Sequence, residues 1–356
     1  MVGIPCMVMR GGTSKGAFFL SDDLPADPEE RDALLLAVMG SPDVRQIDGI
    51  GGATPLTSKV AVINRSVRSD ADIDYLFLQV SVDQALVSDR QNCGNLLAAA
   101  AQFAVERGLI VVTGAHESVR VYMSNTDSVA TSTFPVKNGV PVYVGTTAID
   151  GVPRPAARVQ LDFANIAGGS CGALLPTGST VDQIDGVAAT MIDNGMPVVV
   201  MQSTDLGITG AESPVQLDRN DALRARLESI RLQAGHLMGL GDVTEATVPK
   251  LTMVSSARGH GDLSTRTFIP HRCHEAIGVL GAVSVATASL LPGSPAADVL
   301  RKGAGLDGMI ICEHPAGSFT AAVEIDTSTD PPTARRSGIV RTARKLMDGV
   351  VFPTSL

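Results

Sequence analysis

Two side chains of reactive type lie in the first third of the chain, the thiol of Cys93 and the amine of Lys59. Cys93 follows an extended segment and precedes an Ala-rich apolar run. We therefore predict that it opens a helix, where free backbone N–H groups favour a thiolate. Lys59 begins the apolar stretch 59–63, in which burial disfavours the charged form of an amine. Together the two residues suit proton transfer by a general acid and a general base.

Each residue also has a plainer interpretation. Cys93 could be a buried apolar thiol, which is the commonest fate of a free cysteine. Lys59 could be an edge lysine that protects a strand from aggregation. The sequence alone leaves both alternatives open.

The five cysteines are an odd number without paired spacing, which is typical of a reducing cytoplasm, where we expect the protein to act. We interpret three of them as packing residues, Cys6, Cys171 and Cys312. The cluster at residues 271–274 contains two histidines and Cys273 but is too small for a convincing zinc site. We expect no metal.

Composition limits the possible partners. A length of 356 residues predicts about two domains, and 44% hydrophobic residues with only 3% aromatics predict aliphatic cores. The net charge of −9 argues against nucleic acid or an anionic membrane as a partner. No apolar run reaches the roughly 20 residues that a membrane helix needs. A small anionic substrate remains possible if cationic groups are placed near it.

The two halves of the chain have similar patterns. In each half, strands lead to a polar loop with Cys, Asn or His and then to a small-residue helix, predicted at 96–105 and at 276–291. This pattern predicts an α+β fold in which a curled, mostly antiparallel sheet surrounds a central helix in each half. We expect an N-terminal domain at 1–182, a C-terminal domain at 183–339, and a last strand at 340–356 that returns to the first domain. Helix starts facing a shared cleft would suit an anion.

Six unusual motifs resemble the 2-methylaconitate isomerase family, in that family's order and over about residues 4–352. They are Met9-Arg10-Gly11-Gly12-Thr13-Ser14-Lys15-Gly16, Asp48-Gly49-Ile50-Gly51-Gly52, Leu56-Thr57-Ser58-Lys59-Val60, Gln91-Asn92-Cys93-Gly94-Asn95, Asp193-Asn194-Gly195-Met196-Pro197 and Phe268-Ile269-Pro270-His271-Arg272-Cys273-His274. The resemblance implies two pseudo-symmetric diaminopimelate-epimerase-like barrel domains with the active site in the cleft between them. It also implies no organic cofactor and no metal.

The resemblance further implies roles for individual residues. Lys59 and Cys93 match the family's catalytic lysine and cysteine. The substrate-binding positions are expected at Thr13, Ser14, Ser58, Asn92, Gly94, Asn95, Asn194, Arg266, His271 and Arg272. A planar guanidinium grips a carboxylate with two hydrogen bonds, which suits the arginines among them to a tricarboxylate.

One departure concerns the second helix. In the wider epimerase superfamily a second cysteine opens that helix in a Cys-Gly-Thr-Gly-Ala context. Here Gly278-Val279-Leu280-Gly281-Ala282 has no thiol, and Cys273 lies upstream. We therefore expect Lys59, rather than a second thiol, to complete the acid/base pair.

The expected substrate is a small unsaturated di- or tricarboxylate. The branch that the sequence resembles most isomerises 4-oxalomesaconate in bacterial breakdown of gallate and protocatechuate, by a keto–enol tautomerisation or a 1,3-allylic shift of a double bond. The alternatives are isomerisation of 2-methylaconitate or 3-methylitaconate, and a non-catalytic protein that binds tricarboxylates. We keep a homodimer as the expected assembly.

Overall fold

The computed structural model of the protein describes residues 3–353. These residues form two compact units, the first from 3–164 together with 340–353 and the second from 165–339. The last strand is therefore part of the first unit. The first boundary falls at Ala164, earlier than the predicted position 182.

The earlier boundary has a physical reason in the loop after Ala164. The carboxylate of Asp193 accepts hydrogen bonds from the backbone N–H groups of Ser170 and Cys171, at 2.7 and 2.9 Å. The backbone of Asp193 also bonds to Gly168 and Leu174. The loop is thus tied to a strand of the second unit.

In the first unit, strands alternate with short helices. They are β1 (Ile4–Gly11), β2 (Ser14–Leu20), α1 (Pro28–Met39), β3 (Lys59–Arg65), β4 (Ile73–Val80), β5 (Val87–Ser88), α2 (Gly94–Leu97), α3 (Ala100–Glu106), β6 (His116–Met123), β7 (Ser128–Lys137), β8 (Val140–Pro141) and β9 (Arg158–Phe163). A 3₁₀ turn, Ser21–Asp23, follows β2. The side chain of Asp27 caps α1 by accepting from the N–H groups of Glu29 and Glu30.

In the second unit, strands both precede and follow the longest helix, α5 (Asp221–Leu237), along the chain. The elements are β10 (Asp182–Ile184), β11 (Val187–Asp193), β12 (Pro197–Gln202), α4 (Pro214–Asp218), α5 (Asp221–Leu237), β13 (Lys250–Ser256), β14 (Leu263–Phe268), α6 (Val279–Ser289), α7 (Pro295–Val299), β15 (Met309–His314), β16 (Gly317–Asp326) and β17 (Thr333–Val351). A 3₁₀ turn, Thr204–Leu206, follows β12. The strand β17 runs on from the second unit into the first.

In the described part of the first unit, eight strands close into a ring. Neighbouring strands pair in the order β1, β2, β3, β4, β6, β7, β9 and β17, and β17 pairs back with β1. Most neighbours are antiparallel, whereas β2 with β3 and β4 with β6 are parallel. The helix α3 lies on the inner side, with residues 98–104 buried and the rings of Phe18 and Phe103 at 5.6 Å. The helix α1 covers an outer face through Leu35, Val38 and Met39.

The helix behind Cys93 is shorter than predicted. Instead of one helix over 96–105, the backbone forms α2 and then α3, with a turn at Ala98 and Ala99. The N–H groups of these two alanines bond to carbonyls three residues back, Asn95 and Leu96. Such i→i−3 bonds tighten the backbone and interrupt the α-helix.

The second unit repeats the plan of the first. Its strands pair in sequence from β10 to β17, with β12–β13 and β14–β15 parallel. The apolar helix α6 is buried over 281–289, and α5 covers another face through Leu223, Leu227 and Ile230. The predicted α+β class, with a curled sheet and an apolar helix in each half, is confirmed. Between residues 3 and 353, no helix is both long and apolar enough to cross a membrane.

Candidate active site

Cys93 is the residue from which α2 begins. Its Sγ accepts from the N–H of Leu96 at 3.5 Å and lies 4.0 Å from Oγ of Ser14. Its own N–H donates to Oδ1 of Asn92 at 2.7 Å, and its carbonyl accepts from the hydroxyl of Tyr75 at 3.3 Å. Hydrogen bonds therefore hold both the thiol and the backbone of Cys93.

Lys59 is the first residue of β3 and is 7% exposed. Its Nζ donates to Oε1 of Gln79 at 2.7 Å and lies 4.9 Å from the centre of the Phe77 ring. In the part of the chain that the structure describes, no carboxylate forms an ion pair with it. The amine is therefore held by a neutral acceptor and an aromatic face.

The strand β2 relates the two reactive residues in space. Its alternate residues share one face of the sheet. On that face Ser14 approaches Cys93, a Cβ at Gly16 would contact Leu96 of α2, and Phe18 packs on Phe103 of α3. Gly16 is also the register partner of Lys59 in the parallel β2–β3 pair. Lys59 and Cys93 thus lie on the same helix-facing side of the sheet.

The strand β4 contacts both reactive residues from the same face. Tyr75, Phe77 and Gln79 alternate along it: Tyr75 bonds to Cys93, whereas Phe77 and Gln79 contact Lys59. Burial, assisted by the charge of Cys93, raises the pKa of Tyr75 well above its usual value, so its hydroxyl remains a donor at neutral pH.

A buried arginine that the sequence did not single out lies near Cys93. Arg341, in β17, is 7% exposed; its Nε donates to Oδ1 of Asn95 at 3.0 Å. Asn95 in turn donates from Nδ2 to Oγ1 of Thr13 at 3.1 Å. Burial lowers the pKa of Arg341 to about 10, and the charge of Cys93 opposes this shift. The guanidinium remains charged at neutral pH and contributes a cation to the site.

Glycines let the β1–β2 turn approach α2. A Cβ on Gly11 would collide with the carbonyl oxygen of Asn95, and one on Gly12 would collide with its side chain. Gly12 also has φ +51°, a conformation that L side chains rarely adopt. The glycine pair of the first motif is therefore explained by a close contact with the helix start.

The other predicted residues of the first unit lie near Lys59 or Cys93 and have different contacts. Asn92 caps the N–H of Cys93, and Gly94 is the first residue of α2, so its N–H has no intrahelical acceptor. Ser58 is fully buried, and its hydroxyl donates to Oε1 of Gln46 at 2.7 Å. Ser58 thus holds the loop before Lys59.

The predicted residues of the second unit are not gathered at one place. Asn194 is 0% exposed, and its side chain bonds to Thr287 of α6 and to Ser337. Arg266 is buried and donates to the carbonyls of Glu212 and Thr265. These bonds occupy both side chains within the fold, and their predicted substrate contacts remain predictions.

His271 and Arg272 are both exposed. His271 lies 3.5 Å from a carboxylate oxygen of Glu228 and lines a cavity of about 290 Å³ with Arg224, Phe268 and Pro270. This cavity borders α5, whereas Asn194 contacts α6. The substrate roles of His271 and Arg272 also remain predictions.

The other four thiols differ from Cys93 in their surroundings. Burial raises the pKa of Cys6, Cys171 and Cys312 to about 12 and that of Cys273 to about 11. These four thiols are protonated and weakly nucleophilic at neutral pH. Within residues 3–353, no three His, Cys, Asp or Glu side chains cluster as metal ligands would.

Comparison with known proteins gives full-length similarities. "(4E)-oxalomesaconate Delta-isomerase" of Novosphingobium sp. (strain KA1) is 55% identical over 352 residues, which cover 99% of this chain and 98% of that protein. "4-oxalomesaconate tautomerase" of Pseudomonas putida is 55% identical over 348 residues, covering 98% and 95%. The crystal structure of a methylitaconate-delta-isomerase matches with a TM-score of 0.88 at 32% identity, covering 98% of this chain and 95% of that one.

The fold is thus the predicted diaminopimelate-epimerase-like fold, and the protein is an isomerase. The family model described as "PrpF protein" matches residues 1–354. The chain belongs to this family, so the resemblance drawn from the six motifs is confirmed.

Proposed function

We propose that the protein isomerises 4-oxalomesaconate, with Lys59 and Cys93 as the proton-transfer pair. The observation that carries this proposal is that the buried amine of Lys59 and the thiol of Cys93 lie on the same helix-facing side of the sheet. Gly16 of β2 connects them, because it pairs with Lys59 and faces α2, the helix that Cys93 caps. The two relatives named for action on oxalomesaconate, each 55% identical over nearly the full length, support the choice of substrate.

The mechanism starts with Lys59 as a neutral amine. Its Nζ accepts the acidic C–H proton of the substrate, which leaves a dienolate and a Lys59 ammonium. The negative charge of the dienolate is stabilised by backbone N–H groups at the start of α2, where Gly94 has no intrahelical acceptor. The guanidinium of Arg341 adds positive charge on the same side.

The second step returns a proton at the far end of the conjugated system. Either the Cys93 thiol donates it, or the Lys59 ammonium does. In the first case a proton then passes from the ammonium to the thiolate, so both groups recover their starting forms. No electron is gained or lost, and product and substrate differ only in the positions of a hydrogen and a double bond.

Substitution of the pair tests the proposal. General acid/base catalysis contributes about 10²–10⁴-fold, so Lys59→Met and Cys93→Ser should each lower kcat by at least about a hundredfold. Lys137→Met, at an exposed lysine, and Cys171→Ser are the matched controls and should keep the wild-type rate. Near wild-type rates in the Lys59 and Cys93 variants would show that the assignment is wrong.

The position of the transferred proton distinguishes the two possible reactions. In deuterated water, NMR of the product shows deuterium on a carbon after an allylic shift, at the carbon that received the proton. A keto–enol tautomerisation gives a different labelled position. Tight binding with no deuterium exchange into any candidate acid would instead indicate a non-catalytic tricarboxylate-binding protein.

A second candidate activity is the isomerisation of methylitaconate or methylaconitate. It is favoured by the likeness to the solved methylitaconate-delta-isomerase, at 32% identity. The ratio of kcat/KM for oxalomesaconate to that for the methylated acids decides between them. We also propose that the protein acts in the cytoplasm, in gallate and protocatechuate breakdown, as a homodimer; native mass measurement tests the assembly.

A further inference from the structure

The side-chain amide of Gln79 has one orientation that its neighbours allow. Its Nε2 faces three backbone carbonyls, those of Pro55, Ser58 and Val80, at 3.1, 3.0 and 3.3 Å. Only an NH₂ group can donate to these acceptors, because a carbonyl oxygen turned toward them would meet three other oxygens. Oε1 is therefore fixed toward Nζ of Lys59, at 2.7 Å.

We propose that Gln79 is a positioning residue that holds the amine of Lys59 in place for proton abstraction. The proposal rests on the proposed function, because it requires Lys59 to be the base. Gln79 fixes two parts of Lys59 at once. Its Oε1 holds the side chain, while its bonds to Pro55 and Ser58 hold the loop from which β3 begins.

The neutral charge of the glutamine matters as much as its geometry. A carboxylate at this position would stabilise the ammonium of Lys59 and make the amine a poorer base at neutral pH. An amide oxygen accepts a hydrogen bond from Nζ without adding a full negative charge. In the described part of the chain, the ring of Phe77 is the other group at Nζ, and it also carries no net charge.

The same face of β4 also holds Cys93. Tyr75, four residues before Gln79, donates from its hydroxyl to the carbonyl of Cys93. One strand thus fixes both members of the proton-transfer pair. Their distance in space is set by the repeat of β4 rather than by their separation of 34 positions (93 − 59) along the chain.

Gln79 also lines a cavity of about 450 Å³ with Pro55, Val80 and Leu86. Leu86 is exposed, so the cavity opens to solvent. Water can therefore reach the three carbonyls when the amide is replaced. We expect variants at this position to fold.

The experiment compares Gln79→Glu and Gln79→Met with Gln84→Glu as the control. Gln84 is exposed, so its substitution makes the same charge change away from Lys59. The measurement is kcat, KM and the pH profile of kcat/KM for each variant, using the substrate on which the wild type is most active. The acidic limb of that profile reports the ionisation of the base in the free enzyme.

In Gln79→Glu, we expect the acidic limb to move to higher pH by about one unit or more, because the new carboxylate stabilises the ammonium. In Gln79→Met, we expect kcat to fall about tenfold or more with KM changed less than threefold and no upward movement of the limb. Gln84→Glu should match the wild type in all three quantities.

Two results would overturn the positioning role: a Gln79→Glu profile that coincides with that of the wild type, or a Gln79→Met variant that loses affinity in KM but keeps kcat. These failures are distinct from failure of the proposed function. If Lys59→Met keeps its activity, Lys59 is not the base. If Lys59→Met is inactive while Gln79→Glu keeps the wild-type limb, only the role of Gln79 is wrong.

Discussion

Arg341 is a buried charge that lies close to the thiol of Cys93. A guanidinium that is 7% exposed is poorly screened by water, so its field acts strongly on groups nearby. Its bond to Asn95 orients it toward the first turn of α2. A cation at this place attracts negative charge to the first turn of α2.

Arg341→Met should therefore slow the reaction of Cys93 with a negatively charged reagent. We expect alkylation by the anion iodoacetate at pH 7 to slow about tenfold, because the loss of about 1.4 kcal/mol of charge attraction changes a rate by this factor. The reaction is specific enough to follow, since burial raises the pKa of the other four thiols to about 11 or 12.

Arg335→Met is the control for this substitution, because Arg335 lies in the same strand with its side chain 60% exposed. Arg341→Lys, which keeps the charge but loses the planar fork, should fall between the wild type and Arg341→Met. An unchanged alkylation rate in Arg341→Met would contradict the assigned effect.

At the residue scale, only part of the candidate site could be predicted from the sequence. Lys59 is an amine in an apolar strand and Cys93 is a thiol before an apolar helix, so residue type and local context both indicate reactive groups. The structure places the two on the same side of the sheet. Arg341 contacts Asn95 from 246 residues away, and no local pattern reports such a contact. Gln79 is an ordinary polar residue in β4, and no local pattern reports its contact with Lys59.

The position of Gln79 follows from the elements that cover β4. Leu78 and Val80 pack on the side covered by α1, and Phe77 packs on the side of α3. Both faces of the strand are therefore covered, and a polar residue between apolar ones points into the protein.

At the scale of elements, the approach of the β1–β2 turn to α2 depends on residues that have no side chain. Gly11 faces the backbone of Asn95 and Leu96, neither of which can move without moving the helix start. The first turn of α2 carries Cys93. The contact therefore couples packing to the position of the thiol.

Gly11→Ala should destabilise the protein by about 1–3 kcal/mol, the usual cost of an inserted methyl group in a packed region, and should lower kcat. Gly281→Ala is the matched substitution in α6, where a new Cβ meets no atom within 4 Å. It should be neutral or stabilise by up to about 1 kcal/mol, because alanine favours helix. Urea unfolding measures both changes; equal effects would argue against the contact.

Part of the order of the elements was predictable, because apolar runs and helix-start residues mark several strands and helices locally. Asp27 before Pro28 is a typical signal for a helix start, and its side chain caps α1. The break between α2 and α3 was not predictable, since Ala98 and Ala99 both favour helix. Local helix preference therefore does not account for that turn.

At the scale of the whole molecule, the first unit is closed by the end of the chain. The strand β17 pairs with both β1 and β9, so the ring of the first unit is complete only when residues after Val340 are present. The same strand carries Arg341. Stability of the first unit and the charge beside Cys93 therefore depend on one segment.

A variant that ends at residue 339 should lose isomerisation and should expose the edges of β1 and β9. Hydrogen exchange followed by mass spectrometry should show lost protection at residues 4–11 and 158–163, whose hydrogen-bonding partner is removed. Residues 187–202 serve as the internal reference and should keep their protection, because β11 and β12 pair within the second unit. Full protection of residues 4–11 would contradict this account.

Because β17 lies late in the sequence, the first unit stays incomplete for some time during translation. A ribosome adding about 5–20 residues per second needs roughly 9–35 s to pass from Ala164 to Val340, a distance of 176 residues (340 − 164). Throughout that interval β1 has an open edge, which is a template for pairing with another nascent chain. The speed of translation thus determines how long each new molecule is vulnerable to aggregation before its own last strand arrives.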